Sequence, residues 1–239
     1  MKIRIKFSKS GNMKFIGHLD TMRYFQKAMR RAEIDIAYST GFSPHQIMSF
    51  AAPLGVGITS EGEYLDIEVN QTKSTAESVW ALNQAMVEGF QVLDYRKLPD
   101  QAKTAMSIVS CADYILTYRE GYACDKTLQE LSEAVHVFYE VPEKIEITKK
   151  TKKSEKIIDL KQLIYDFQVL EADHQPAFYL KLSTGSSDNI KPELVMEHFY
   201  KFLNMELKDF TFKIHRKDVY SGSLTDGFIS LNDMGEVLS

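Results

Sequence analysis

The fold of this chain is decided by residues 14–69, which read KFIGHLDTMRYFQKAMRRAEIDIAYSTGFSPHQIMSFAAPLGVGITSEGEYLDIEV. Apolar residues recur every three or four positions from Met22 to Ala32, which predicts an amphipathic helix. Alternation of apolar and polar residues over 63–69 predicts a half-buried strand. Two shorter extended stretches are predicted over 34–38 and 47–54. The segment therefore predicts a helix, a short strand, a turn-rich loop and extended chain.

The flanking residues complete the pattern. Alternation of Ile3, Ile5 and Phe7 with basic residues predicts a first strand, and a stripe of apolar residues over 75–87 predicts a second helix capped by Ser74 or Thr75. A further strand is predicted over 90–95. The resulting order, β-α-β-β-α-β, is that of a ferredoxin-like module.

The same order is predicted a second time after a polar, proline-containing link at 98–103. Predicted elements are a strand over 106–118, a helix over 125–137 capped by Asp125, strands near 143–148, 156–160, 163–170 and 178–182, a helix over 192–203 and a strand over 210–220. We therefore predict an α+β protein of two tandem ferredoxin-like (βαββαβ) modules, at 1–97 and 104–239. The second module carries an inserted Lys-rich hairpin.

Composition and charge limit the function classes. The formal net charge is −4, yet residues 1–53 carry nine basic and three acidic side chains, so their +6 is opposed by −10 elsewhere. Such a basic region predicts a surface for an anionic ligand, although a solvated face is an equal alternative.

The sequence predicts no membrane span or signal peptide, hence a cytoplasmic protein. Two isolated cysteines predict neither a cluster nor a disulfide framework, and we predict no metal and no cofactor.

Candidate catalytic residues are two histidines. Gly17, His18, Leu19 and Asp20 stand at the predicted strand-to-helix corner, where Asp20 is placed to cap the helix. His18 and His45 are candidates for general acid or base, because imidazole is the side chain most often used for this role. A histidine that only satisfies a turn is the alternative.

Candidate anion-binding residues fall in three places. The first helix presents Arg23, Lys27, Arg30 and Arg31, and phosphate contacts of such cations supply most nonspecific affinity for nucleic acid. The loop after it contains Ser39, Gly41 and Phe42, whose backbone N–H groups and aromatic ring suit an anion and a base; a hydrophobic plug is the alternative for Phe42. Lys150 and Lys152, at the predicted hairpin, are candidates for a second phosphate contact.

These motifs resemble a bacterial family of uncharacterised proteins, the radical-SAM-associated (radical-SAM-linked) family. The matching segments are GHLD at 17–20, R-x-F at 23–25, RRA at 30–32, YS-x-GF-x-P at 38–44, PLGVG at 53–57 and SEGEYLD at 60–66. The resemblance implies a radical-SAM protein as partner and implies no catalytic residue. The architecture is also similar to the RAMP superfamily, which includes RNA-processing endoribonucleases.

We therefore predict a non-catalytic RNA-binding accessory protein that works with a radical-SAM RNA-modifying enzyme. Two alternatives stay open: a metal-independent endoribonuclease of RAMP-like architecture, and a protein–protein adaptor of a radical-SAM enzyme without RNA contact. Whether the chain is an enzyme is uncertain from the sequence, with a non-enzyme favoured.

Overall fold

The computed structural model describes residues 1–150, 155–185 and 189–239, and the chain divides into two compact units. Unit 1 comprises Met1–Ser110 and Arg216–Ser239, and unit 2 comprises Cys111–His215. The division differs from the predicted modules in two respects, because residues 104–110 and residues 216–239 group with the N-terminal unit.

Unit 1 contains the predicted βαββαβ order. Its elements are β1 (Lys2–Lys9), α1 (His18–Arg31), β2 (Met48–Phe50), β3 (Thr59–Glu68), α2 (Thr75–Ala85), β4 (Phe90–Lys97) and the short α3 (Ala105–Ile108). β1 pairs antiparallel with β3 and β4, and β2 pairs antiparallel with β3, which gives the ferredoxin-like order β4-β1-β3-β2. The predicted strand over 34–38 is wrong, because only isolated bridges at Ile36 and Tyr38 are present.

The sheet of unit 1 is widened by the C-terminal part of the chain. β10 (Phe212–Ser223) enters the unit at Arg216 and lies beside β3, β11 (Gly227–Ser230) pairs with β10, and β12 (Glu236–Val237) pairs with β4. The last two strands are not predicted from the sequence, since they are only four and two residues long.

The core of unit 1 lies between one face of the sheet and the two long helices. Ile3, Ile5 and Phe7 of β1 are 0–1% exposed and pack with Phe25 and Met29 of α1. Helix α2 begins at the predicted cap: Ser74 Oγ accepts a hydrogen bond from Glu77 N–H, and the Glu77 carboxylate accepts one from Ser74 N–H. This reciprocal pair is a capping box, and it confirms the predicted start of α2.

Unit 2 repeats the order with an insertion. Its elements are β5 (Val109–Tyr118), α4 (Leu128–Val135), β6 (Glu146–Lys150), β7 (Glu155–Asp159), β8 (Ile164–Ala172), β9 (Gln175–Ser183) and α5 (Pro192–Phe202), followed by the first residues of β10. The strand order β10-β5-β9-β8 is again ferredoxin-like, and β6 and β7 form the separate inserted hairpin. The predicted α+β fold of two such modules is confirmed.

Two local predictions for the second predicted module are wrong. The helix near residue 128 is capped by Thr127, not Asp125, because Thr127 forms a capping box with Glu130. The segment that begins at Met106 is not extended at first, since α3 covers 105–108 before β5 begins.

Candidate nucleic-acid interface

Helix α1 begins at His18, with Gly17 as its N-cap and no side-chain cap. The predicted capping role of Asp20 is therefore wrong: Asp20 lies inside the first turn, where its carboxylate is 3.4 Å from the Arg23 guanidinium. Both side chains are more than 60% exposed, so this ion pair contributes little to stability. The acidic group still complements the positive end of the helix dipole.

The exposed face of α1 carries the four predicted cations, which we call the basic stripe: Arg23, Lys27, Arg30 and Arg31. Their spacing of three and four residues places them on one side of the helix, opposite the buried Phe25. Within the residues that the structure describes, Arg23 alone of the four has a carboxylate partner. The rest of the stripe is positive charge that no ion pair neutralises in that part of the chain.

A closed loop follows α1 along the chain, and we call residues 39–45 the clasped loop. Ser39 N–H donates to His45 O at 2.8 Å, and His45 N–H donates to Ser39 Oγ at 3.1 Å. Ser39 Oγ also lies 2.9 Å from His45 Nδ1. Three contacts between two residues hold the loop closed, and the remaining ring nitrogen of His45, an exposed residue, can bind a ligand.

The tip of the clasped loop presents an aromatic ring to solvent. Phe42 has a relative exposure of 111%, so the alternative of a hydrophobic plug is wrong. Gly41 precedes it with φ at +112°, a backbone conformation that favours glycine and turns the chain at the tip. Because the Phe42 ring is not packed in the core, it can stack on a partner without breaking any core contact.

Gln46 fastens the clasped loop to the basic stripe. Its side-chain amide donates to the backbone carbonyl of Gln26, which lies in sequence between Arg23 and Lys27, at 3.2 Å. Gln46 also forms a backbone bridge with Tyr38, directly before the loop. This hydrogen bond joins the residue that directly follows the clasped loop to the helix that carries the cations.

His18 occupies a different place. Its ring packs edge-on against Phe50, with the ring centroids 5.2 Å apart. Gln26, which anchors the clasped loop, is eight residues further along α1, or roughly 12 Å along the helix axis. Neither a hydrogen bond nor a ring contact joins His18 to His45 in the described ranges, so the two candidate catalytic histidines are not brought together there.

Comparison with known proteins places the chain in a family. A model of uncharacterised proteins conserved in bacteria, DUF2344, matches residues 2–192. The chain belongs to the DUF2344 family. The predicted resemblance to a bacterial family of uncharacterised proteins is thereby confirmed, and the association with radical-SAM proteins stays a prediction. No curated protein sequence matches the chain.

Two solved structures match this DUF2344 protein at low sequence identity. A Cbf5-Nop10-Gar1 complex matches over 91% of this chain and 48% of its own chain, with 9% identity and a TM-score of 0.48. The chain thus spans about half the length of that relative. An unknown protein from Galdieria sulphuraria matches over 91% of this chain and 97% of its own, with 12% identity and a TM-score of 0.24.

The SEGEYLD motif of the DUF2344 chain holds β3 and its neighbours together. Glu63 accepts hydrogen bonds from the Arg216 guanidinium at 2.6 and 2.9 Å, and both residues are at least 90% buried. The Asp66 carboxylate accepts two hydrogen bonds from the Arg4 guanidinium, at 2.8 and 2.9 Å. Breaking one member of such a buried pair typically costs about 3–5 kcal/mol.

Two further groups, one in this motif and one in β1, were not predicted from the sequence. Tyr64 donates to Asp218 at 2.5 Å, and burial followed by the Asp218 charge raises the pKa of Tyr64 far above its ordinary value. Lys9, 3% exposed, donates to Ile16 O at 2.7 Å, and burial lowers its pKa. The sequence signal for such pairs is a charged residue inside a strand of alternating apolar and polar residues. The sequence shows these residues but does not show which of them contact each other.

The remaining candidates, Lys150 and Lys152, were predicted at the inserted hairpin. Lys152 is outside the described residues, as is the side chain of Lys150, so neither is placed relative to the basic stripe. Within the described ranges, no helix is long and apolar enough to cross a membrane.

Proposed function

We propose that this protein is a non-catalytic RNA-binding accessory protein. Its binding surface is the basic stripe of α1 together with the clasped loop. As its partner we propose a radical-SAM enzyme that modifies RNA. The partner rests on the sequence resemblance alone, whereas RNA binding also rests on the geometry.

One observation carries the proposal: the loop that presents the exposed Phe42 ring is followed by Gln46, which is hydrogen-bonded to the helix that carries the exposed cations. Lys27, Arg30 and Arg31 have no carboxylate partner in the described ranges, and Phe42 has no packing partner there. Single-strand RNA binders combine these two features, because cations follow the phosphates and rings stack on bases. The alternative of a solvated helix face gives the exposed Phe42 ring no role.

The roles of the residues follow from their chemistry. The guanidinium groups of Arg23, Arg30 and Arg31 bind phosphate oxygens, and Lys27 adds a point charge. Phe42 stacks on an unpaired base. His45, held by Ser39 through Nδ1, presents Nε2 toward a ligand beside the Phe42 ring.

The test is a titration of a single-stranded RNA at several salt concentrations. Four phosphate contacts predict a slope of log K against log salt near −2.8, since each contact contributes about −0.7 for single strands. The variant Arg30→Ala is expected to weaken binding and to reduce the slope by about 0.7. Lys201→Ala, an exposed lysine of α5 in unit 2, is the matched control and leaves the slope unchanged.

Binding that does not depend on salt, or no binding, overturns the proposal. Co-purification of the protein with an enzyme in the absence of nucleic acid then supports the adaptor alternative. The endoribonuclease alternative predicts RNA cleavage in EDTA that is lost in His18→Ala. Its two histidines have separate partners, Phe50 and Ser39, so the geometry favours binding over cleavage.

A further inference from the structure

Three large apolar side chains are exposed beside the start of α1, and we call them the apolar patch. They are Phe15, Leu19 and Val56, which are 61–63% exposed. Gly57 N–H donates to Lys14 O at 2.8 Å, so the residue before Gly57 and the residue after Lys14 lie on neighbouring segments. Leu19 follows in the first turn of α1. Large apolar side chains grouped on a surface indicate a binding site, because the core gains nothing from them.

The aromatic ring of the apolar patch already has a cation beside it. The Lys14 ammonium lies 5.0 Å from the centroid of the Phe15 ring, which is within the range of a cation–π contact. Among the residues that the structure describes, no carboxylate forms an ion pair with Lys14, so its charge is available to an anion. Phe15 and Lys14 therefore combine a stacking surface with a group that binds phosphate, as in proteins that bind single strands.

The apolar patch continues the basic stripe along α1. Leu19 and Arg23 are four residues apart, so their side chains lie on the same face of the helix. The nearby charge is positive, because Lys14 and Arg23 are opposed by Asp20 alone, and Asp20 already pairs with Arg23. Positive charge beside apolar side chains suits a nucleotide, which has a flat apolar base and a phosphate. Because this surface adjoins the stripe, we assign it to the same RNA strand.

We propose that Phe15 stacks on a second unpaired base of the single-stranded RNA that lies along the basic stripe. Leu19 and Val56 add apolar contacts to that base, since flipped or unpaired bases bind between aromatic and apolar side chains. The Lys14 ammonium binds the neighbouring phosphate. Phe42, at the tip of the clasped loop, takes a different base of the same strand. This inference rests on the proposed RNA binding and adds a second stacking site to it.

The experiment measures binding of a ten-nucleotide uridine RNA by fluorescence anisotropy. Phe15→Ala is expected to raise the dissociation constant by roughly 5- to 150-fold, the range for loss of one stacked base. Phe15→Trp keeps the stacking surface and is expected to bind at least as tightly as the unchanged protein. The matched control is Phe210→Ala in unit 2, where the ring is 78% exposed and lies outside the apolar patch. This control is expected to keep the affinity.

Three further measurements separate contact with RNA from an effect on the fold. As a fifth phosphate contact, Lys14 makes the expected slope of log K against log salt about −3.5, and Lys14→Gln returns it to about −2.8. The double variant Phe15→Ala/Phe42→Ala is expected to lose affinity by the product of the two single factors, because separate bases contribute independently. The urea midpoint of Phe15→Ala is expected to be unchanged; should it fall, Phe15→Leu, which keeps an apolar side chain without a ring, gives the same comparison.

The possible failures are distinguishable. Salt-dependent binding that is equally tight in Phe15→Ala overturns the second stacking site and leaves the proposed function standing. A double variant that binds no more weakly than Phe42→Ala overturns it as well, as does an equal loss in the Phe210→Ala control. An unchanged slope in Lys14→Gln overturns the phosphate contact. Absence of salt-dependent binding in the unchanged protein overturns both the second site and the proposed function.

Discussion

Replacement of Phe42 by alanine separates binding from stability more cleanly than any other change in this protein. The ring lies at the tip of the clasped loop with 111% relative exposure, so truncation removes no buried contact. Exposed substitutions of this kind change the free energy of unfolding by less than about 0.5 kcal/mol. In contrast, Phe50 is 7% exposed and packs on the rings of Phe7, Phe25 and His18, so Phe50→Ala is expected to cost about 3–5 kcal/mol.

The expected loss of RNA affinity follows from stacking. A base stacked on an aromatic side chain contributes about 1–3 kcal/mol. Phe42→Ala therefore raises the dissociation constant for single-stranded RNA by roughly 5- to 150-fold. Phe42→Trp retains the stacking surface and is expected to bind at least as tightly as the unchanged protein.

The assay pairs RNA anisotropy with urea denaturation on the same preparations. A weaker affinity with an unchanged unfolding midpoint supports the stacking role. Equal affinity in Phe42→Ala refutes it, since the ring then does not contact RNA. A loss of several kcal/mol in unfolding free energy would refute the premise that the ring is unpacked.

Two further predictions concern the fold that holds this surface. Gly62→Ala is expected to destabilise the protein by about 3 kcal/mol in urea denaturation, because the new Cβ would lie 2.4 Å from Asp218 Cα; a change under 0.5 kcal/mol would contradict this. Ser74→Ala is expected to cost about 1 kcal/mol at pH 7. The Ser74 hydroxyl and N–H lower the pKa of Glu77, so this stabilisation is fully present above the ordinary pKa of a glutamate and is lost as pH falls through the lowered pKa. Equal costs at pH 7 and pH 3 would exclude that contribution.

Much of the architecture was predictable because it depends on local periodicity. The stripe of α1, the capping box at Ser74 and the Pro192 start of α5 are each set within a few residues of chain. The predicted cap at Asp20 failed for a local reason too: the helix begins two residues earlier, so the carboxylate lies inside the first turn.

The candidate site was predictable in part. The cations of α1 and the turn residues around Gly41 are visible in the sequence, since charge spacing and glycine mark exposed helix faces and loops. The exposure of Phe42 was not, because an aromatic residue in a loop is equally compatible with a plug. Nor was the Ser39–His45 clasp, which depends on how the chain closes between them.

By itself, the sequence determined the order of helices and strands in both modules and the concentration of positive charge on α1, because hydrophobic period and charge spacing act over neighbouring residues. Tertiary structure alone decided which distant groups meet. Glu63 pairs with Arg216, 153 residues away, and Asp66 with Arg4, 62 residues away. Such partners are chosen by strand register and burial, and no local pattern encodes either.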